Sequence, residues 1–219
     1  MDQPLNEEKV DVRRKQSRDA RKVQLIEATL EVLARMGYSR TTMGEVARAA
    51  GLSHGLVNFH FQSKEKLLAE TLIYLSEEYR QNWQGALAAA DPTPEARLAA
   101  LLRADVTPAL CTPARLSSWC AFWGEAQCRP MYQEHCGSND ALYIQTLEGL
   151  CADLINAHGY PGQPQRVARV IRVTTEGVWL DMMTMQIPYG REEALATLWS
   201  CAAAFFPRHF GPEGPLEAA

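Results

Sequence analysis

Residues 41–61 read TTMGEVARAAGLSHGLVNFHF, and the fold turns on how Gly51-Leu52-Ser53-His54-Gly55 is taken. Those five letters fit G-x-S-x-G, the pattern around the nucleophile of many serine hydrolases, where the serine stands on a tight turn between a buried strand and a helix. The preceding residues do not make a strand. Met43, Val46, Ala47 and Ala50 fall at i, i+3, i+4 and i+7, the helical period, and no Val/Ile/aromatic run accompanies them. Thr42 with Glu45 three positions on forms a capping box that satisfies orphan N–H groups at a helix start. Gly51 can close that helix in the left-handed conformation, and Ser53 can cap a second short helix. Two short helices joined by a tight glycine-containing turn are a helix-turn-helix, which presents a helix and not a nucleophile.

Outward from this stretch the chain reads as helical nearly throughout, an all-α fold of nine helices. A first helix over about 18–37 carries Val23, Ile26, Leu30 and Leu33 at helical spacing and stops at Gly37. The helix-turn-helix occupies about 43–60, and Ser63 caps a long helix over about 64–88. Further helices are predicted at about 94–109, 113–135, 138–158, 163–186 and 191–206, separated by proline and glycine turns, with Pro130 kinking the sixth. The last two helices carry apolar stripes, Val167, Val170, Ile171, Thr174, Val178 and Met182, then Leu195, Leu198, Trp199, Ala202, Phe205 and Phe206. Such stripes suit either ordinary core or a four-helix bundle between two chains.

The net charge of −4 over 219 residues is divided along the chain. Residues 1–66 hold 12 Lys/Arg against 9 Asp/Glu, whereas residues 67–219 hold 10 against 17. The basic part is the helix-turn-helix part. Lys9, Arg13, Arg14, Lys15, Arg18, Arg21 and Lys22 crowd just before it; such a run makes a solvated face or arm, and in this position it also suits contact with phosphates. No apolar run is long enough to cross a bilayer and the first residues lack the apolar core of a signal peptide, so a cytoplasmic protein is expected. Of the six cysteines, Cys111, Cys120, Cys128 and Cys136 recur at spacings of nine, eight and eight, which match no zinc pattern. They are read as small buried hydrophobes, with thiol-based redox sensing as the rival. No P-loop, H-E-x-x-H or dinucleotide-binding turn occurs, so no catalytic residue, metal or cofactor is expected.

The stretch Thr42 to Leu68, TMGEVARAAGLSHGLVNFHFQSKEKLL, resembles the DNA-binding signature of the TetR family of bacterial transcriptional regulators. Thr42, Val46, Ala47, Ala50, Gly51, Leu52, Ser53, Gly55, Phe61, Lys64, Leu67 and Leu68 match it, while Asn58 stands where the family usually has tyrosine. Three shorter pieces are similar to the choline-responsive BetI-type repressors: Gly55 to Phe61, Trp119-Cys120-Ala121-Phe122-Trp123 with Arg129-Pro130-Met131, and Glu176-Gly177-Val178-Trp179-Leu180. The resemblance implies a repressor of choline and glycine-betaine genes, a homodimer on palindromic double-stranded operator DNA, and release by a small effector. The expected layout is a flexible basic arm over 1–17, a DNA-binding domain over 18–66, a ligand-binding and dimerisation domain over 67–208, and a flexible tail over 209–219.

On this reading residues 53–60 enter the major groove. His54, Gly55 and Leu56 meet base edges, respectively by hydrogen bond, by close backbone approach and by contact with a thymine methyl. Thr42, Asn58, His60 and Lys64 are the expected phosphate contacts, with Ser53 and Phe59 beside them. His60 can equally cap or pack, and Phe59 can equally be core. In the regulatory half Trp119, Phe122, Trp123 and Trp179, with Glu125, Glu176 and Asp181 nearby in sequence, form either ordinary core or a cage for a quaternary ammonium cation. The alternatives within the same architecture are a redox sensor and a multidrug-type repressor of an efflux pump.

Overall fold

The computed structural model describes the backbone of residues 4–125, 129–185 and 189–216, with side chains from residue 17 onward. Among these residues nine helices and one small hairpin occur: α1 Pro4–Met36, α2 Met43–Ala50, α3 His54–Phe61, α4 Lys64–Ala89, α5 Pro94–Asp105, α6 Pro113–Gly124, α7 Arg129–His158, α8 Pro164–Thr184 and α9 Arg191–Phe205, then β1 Phe210–Gly211 paired antiparallel with β2 Gly214–Pro215. Side-chain oxygens of Thr42, Ser53, Ser63, Thr93 and Thr112 each accept the third helical N–H that follows. Gly51 ends α2 at φ 65°, in the left-handed region.

Three boundaries differ from expectation. The first helix begins at Pro4, so the backbone of residues 4–17 is helical where a flexible arm was expected. No proline or glycine lies between Pro4 and Gly37, and Glu, Lys, Arg and Gln are good helix formers whatever their charge. The break placed at Gly137 falls instead after Gly124, and Pro130 lies in the first turn of α7, where its missing N–H costs nothing, so it does not kink a helix interior. Gly137 is carried inside α7. Of the expected loose tail, residues 210–215 form a hairpin: Phe210 is buried and stacks on Trp199 at 6.2 Å between ring centroids, so aromatic burial holds what composition made look free.

The core has three parts. Leu25, Ile26, Val32, Val46, Val57, Phe61 and Leu67 pack α1 to α4 into the amino-terminal unit. Leu98, Leu102, Tyr143, Leu147, Leu154, Ile171, Leu198 and Phe206 fill the regulatory half. A third cluster, Leu30, Leu33, Leu68, Leu72, Leu75, Trp119, Phe122 and Cys136, joins the two. The long helices α1 and α4 therefore belong to both units.

Between α3 and α4 the chain turns sharply at Gln62. The Ser63 N–H donates to the Phe61 carbonyl at 2.7 Å, a three-residue turn that forces Gln62 to φ 65°, ψ −38°. A side chain at such a position costs of order 1 kcal/mol or more. Gln62→Gly is expected to raise unfolding free energy by about 0.5–1 kcal/mol in urea denaturation, net of glycine's greater unfolded-state entropy. A loss of stability would mean that the Gln62 side chain, which accepts from Lys66 Nζ at 3.2 Å, matters more than the strain.

Candidate DNA-binding face and effector cavity

Helix α3 turns Val57 and Phe61 into the core and leaves Ser53, His54, Gly55, Asn58 and Phe59 exposed, with Leu56 and His60 half-buried. A Cβ at Gly55 would meet nothing closer than Ser53 Oγ at 4.0 Å, so no internal packing demands glycine there. Phe59 is 62% exposed and is not core. The Arg18 guanidinium lies 5.5 Å from its ring centroid and the His60 ring meets it edge-on at 5.4 Å. Burial, then Arg18 and Lys22, push the His60 pKa down, so near neutral pH this imidazole is uncharged. Asn58 Nδ2 lies 3.2 Å from His54 Nδ1, one turn apart on the same face. Thr42 and Ser53 serve as helix caps, and both stay exposed.

Lys64 makes contacts within the protein that the sequence did not indicate. Its ammonium donates to the carbonyls of Tyr38 and Ser39, each at 3.1 Å, and sits 5.4 Å from the Tyr38 ring centroid. It thereby ties the start of α4 to the loop between α1 and α2. Arg18 and Lys22, read only as part of a charge run, sit beside the exposed face through Phe59 and His60. The expected contribution of Lys9, Arg13, Arg14 and Lys15 lies outside the described side chains.

A cavity of about 630 Å³ opens among α4, α6, α7 and α8. Trp119 and Trp123 stack at 5.8 Å between centroids, and Trp123 and Trp179 at 6.2 Å with an interplanar angle of 7°, so three indoles from two helices form one wall. Tyr79, Tyr132 and Tyr143 line it further, with Asp140, Arg172 and Glu176 as its charged groups. Burial pushes the carboxyl pKa of both Asp140 and Glu176 up; Tyr132 and Arg172 oppose this at Asp140, and Arg172 opposes it at Glu176, to which it is paired on α8. Two carboxylates against one guanidinium leave an ionised cavity one charge negative. Beneath it Asp105 is fully buried and accepts from Tyr79 Oη at 2.8 Å and Tyr143 Oη at 2.6 Å, while its own carbonyl takes the Trp179 indole N–H at 2.8 Å. Desolvation raises the Asp105 carboxyl to about 7 despite both phenols.

The structure brings Trp119, Trp123, Glu176 and Trp179 to one cavity and leaves three expected residues out. Phe122, about 100° round the helix from Trp123, is buried in the junction cluster with its ring edge-on to Tyr38 at 6.1 Å. Glu125 lies past the end of α6 and Asp181 also stands off the cavity lining. Reasoning from sequence missed Tyr79, Tyr132, Asp140, Tyr143 and Arg172. A signal existed: Tyr132, Cys136, Asp140 and Tyr143 recur at four, four and three along α7, one helical face mixing aromatic and acidic groups.

The cavity and the DNA-binding unit share helix α6. At its first turn Arg115, with a side chain 15% exposed, donates to Glu78 of α4 at 2.7 and 2.8 Å and to Glu27 of α1 at 2.9 Å. Trp119 and Trp123 follow one and two turns later. The described cysteines Cys111, Cys120, Cys136, Cys151 and Cys201 are free thiols. Burial pushes their pKa values up, to about 12 at Cys111 and Cys151 and about 11 at Cys136, the opposite of what a redox-sensing thiol needs. Cys128 lies outside the described residues.

Both parts of the chain match known proteins. The family of bacterial regulatory proteins, tetR family, matches residues 25–71, and the C-terminal domain of BetI-type transcriptional repressors matches residues 94–207. The HTH-type transcriptional regulator BetI of Pectobacterium carotovorum is 30% identical over 179 residues, covering 80% of this chain and 89% of the relative. A transcriptional regulator from Pseudomonas aeruginosa PAO1 shares the fold with a TM-score of 0.74 at 24% identity, over 86% of this chain and 91% of its own. A regulator from Saccharomonospora viridis, solved in complex with choline, does so with a TM-score of 0.70 at 18% identity, over 82% and 94%. Among the described residues no helix is long and apolar enough to cross a membrane.

Proposed function

The chain belongs to the TetR family and carries the C-terminal domain of BetI-type transcriptional repressors; from that premise we propose that its effector is an organic cation of the quaternary ammonium class, whose binding releases the protein from operator DNA. The observation that carries this reading is the indole wall of Trp119, Trp123 and Trp179 in one cavity with Asp140 and Glu176. Indole faces attract a desolvated cation by roughly 0.5–2 kcal/mol per ring, and the surplus carboxylate balances its charge. The choline bound to the Saccharomonospora viridis regulator supports choline as the first candidate. The volume of about 630 Å³ favours a second, bulkier candidate, a lipophilic cation of the kind expelled by efflux pumps.

The DNA-binding role places α3 in the major groove, with His54, Gly55 and Leu56 toward base edges and Thr42, Ser53, Asn58, Phe59, His60 and Lys64 toward the backbone. Two copies reach successive half-sites of a palindrome as a homodimer. The face for pairing is offset from the stripe expected on α8, because Val167, Ile171 and Val178 are core. Val170, Val173, Gly177 and Leu180 are exposed at intervals of three and four residues, the last three also lining the cavity, and Thr174 of the same face contacts Cys201 of α9. Effector seated against Trp119 and Trp123 displaces α6, and Arg115 passes that displacement to α1 and α4, altering the separation of the two α3 helices.

Calorimetry with choline, and in parallel with tetraphenylphosphonium, tests the effector, followed by titration of either compound into the complex with DNA from the protein's own promoter region. Trp123 is 42% exposed, so Trp123→Ala keeps the fold and is expected to weaken cation binding by about 3- to 30-fold. Heat from neither cation at millimolar concentration, or equal affinity in the variant, rejects the cation cage.

A further inference from the structure

We propose that Glu95, His158 and His209 form a binding site for a borderline divalent metal ion, Zn²⁺ or one of its first-row neighbours. It lies where the start of α5, the end of α7 and the turn after α9 meet, and it draws on none of the residues of the DNA-binding face or the effector cavity. One carboxylate oxygen of Glu95 and one ring nitrogen of each histidine lie within 4.8 Å of one another. Around a tetrahedral zinc the ligand atoms stand about 3.3 Å apart, so closing the set needs a shift of about 1 Å or a little more. His158 is exposed and is the last residue of its helix, where a change of side-chain torsion meets little resistance.

Two further features favour a ligand. Glu95 Oε2 is buried and accepts no hydrogen bond from any described group. An ionised oxygen left so is costly, and a cation removes that cost. Second, His209 Nδ1 lies 2.8 Å from the Tyr160 hydroxyl, which also accepts the Arg208 backbone N–H at 3.0 Å. With Nδ1–H donating to that phenol, Nε2 carries the free lone pair, and the ring is oriented in the way metal-ligating histidines generally are. The two imidazoles already approach to 4.1 Å between centroids. The neighbouring cation, Arg208, is turned onto the Tyr160 ring, 4.6 Å from its centroid, and donates to the His158 carbonyl.

Helix polarity explains an acid in the first turn of α5 and a histidine in the last turn of α7 one at a time. It does not explain their convergence with a third ligand, at a carboxylate that also carries a bare buried oxygen. Two nitrogens and one carboxylate oxygen suit zinc, nickel or copper; magnesium and calcium favour all-oxygen shells. A bound ion would fasten the segment carrying Phe210 and the hairpin to α5 and α7.

Zn²⁺ is titrated into the untagged full-length chain against a chromophoric chelator, with Glu95→Gln, His158→Ala and His209→Ala alongside, and thermal melting is followed with and without the ion. The expected result is one tight equivalent per chain, a rise in melting temperature with zinc, and at least tenfold weaker binding in each variant. Co²⁺ added to the native chain should give the visible absorption of a tetrahedral site. Zinc held equally well by the native chain and the three variants, through His54, His60 or His135, overturns the proposal. So does native protein that takes up no zinc at micromolar concentration.

Discussion

Asp105→Asn is expected to stabilise the protein at pH 8 relative to the native chain and to lose that advantage as the pH falls to 4. The native carboxyl titrates at about 7 in the folded state against an ordinary 3.8. Between those values the folded chain holds a proton that the unfolded chain has released, so stability declines as pH rises through the window. The native Asp105 contribution is fully present below about pH 4 and gone above about pH 7. Asparagine has the same shape and no such titration. The difference in unfolding free energy between native and variant should therefore swing with pH by up to about 4 kcal/mol, one pKa unit being about 1.4 kcal/mol. Urea unfolding of both proteins at pH 4.5, 6 and 8 measures it, and subtraction cancels the other carboxyl groups. A difference that stays flat would mean that Tyr79 and Tyr143 hold the carboxylate ionised, with the two hydrogen bonds outweighing desolvation.

Arg115→Ala should uncouple the two halves. The guanidinium is mostly buried and joins Glu27 on α1, Glu78 on α4 and, through the rest of α6, the indole wall. Hydrogen bonding to Glu78 is the main cause of its raised pKa, so it remains charged throughout the working range. Removing one partner of a buried ion pair costs about 3–5 kcal/mol, but Glu27 and Glu78 reach water and can rehydrate, so about 1–3 kcal/mol is expected. The larger effect is on regulation. Coupling between two ligands is a single free energy read from either side, so DNA affinity is measured with and without the organic cation. In the variant the ratio of those affinities should collapse towards one, while cation affinity itself changes little. Arg115→Lys keeps the charge without the planar fork and should recover only part of the ratio. A native-sized ratio in Arg115→Ala would show that the signal passes through the packed cluster of Leu33, Leu72, Trp119 and Phe122 instead.

The amino-terminal unit was legible because its determinants are local. Thr42, Gly51, Ser53 and Ser63 each act on backbone groups within four residues; the three hydroxyls accept the N–H groups their spacing implies, whereas the Glu45 carboxylate pairs with Arg35 and Arg48 and does not complete the expected capping box. The rejection of a hydrolase elbow at Ser53 needed only the helical period before it. The errors in layout were errors of competition: Gly124 and Gly137 looked alike as breaks, and the requirement of Pro130 for a first turn decided between them.

By itself, then, the order of residues determined the nine helices seen among the described residues, a helix-turn-helix and a charge division, because caps, periodicity and glycine or proline punctuation act over one or two turns. Tertiary structure alone decided that Phe122 serves the junction and not the cavity, that Asp140 and Arg172 join Trp179, that Asp105 lies dry beneath two phenols, and that Phe210, at the start of the hairpin, stacks on Trp199. Those outcomes depend on which faces of distant helices meet, and desolvation, which sets the charge of a buried carboxyl, exists only once they have met.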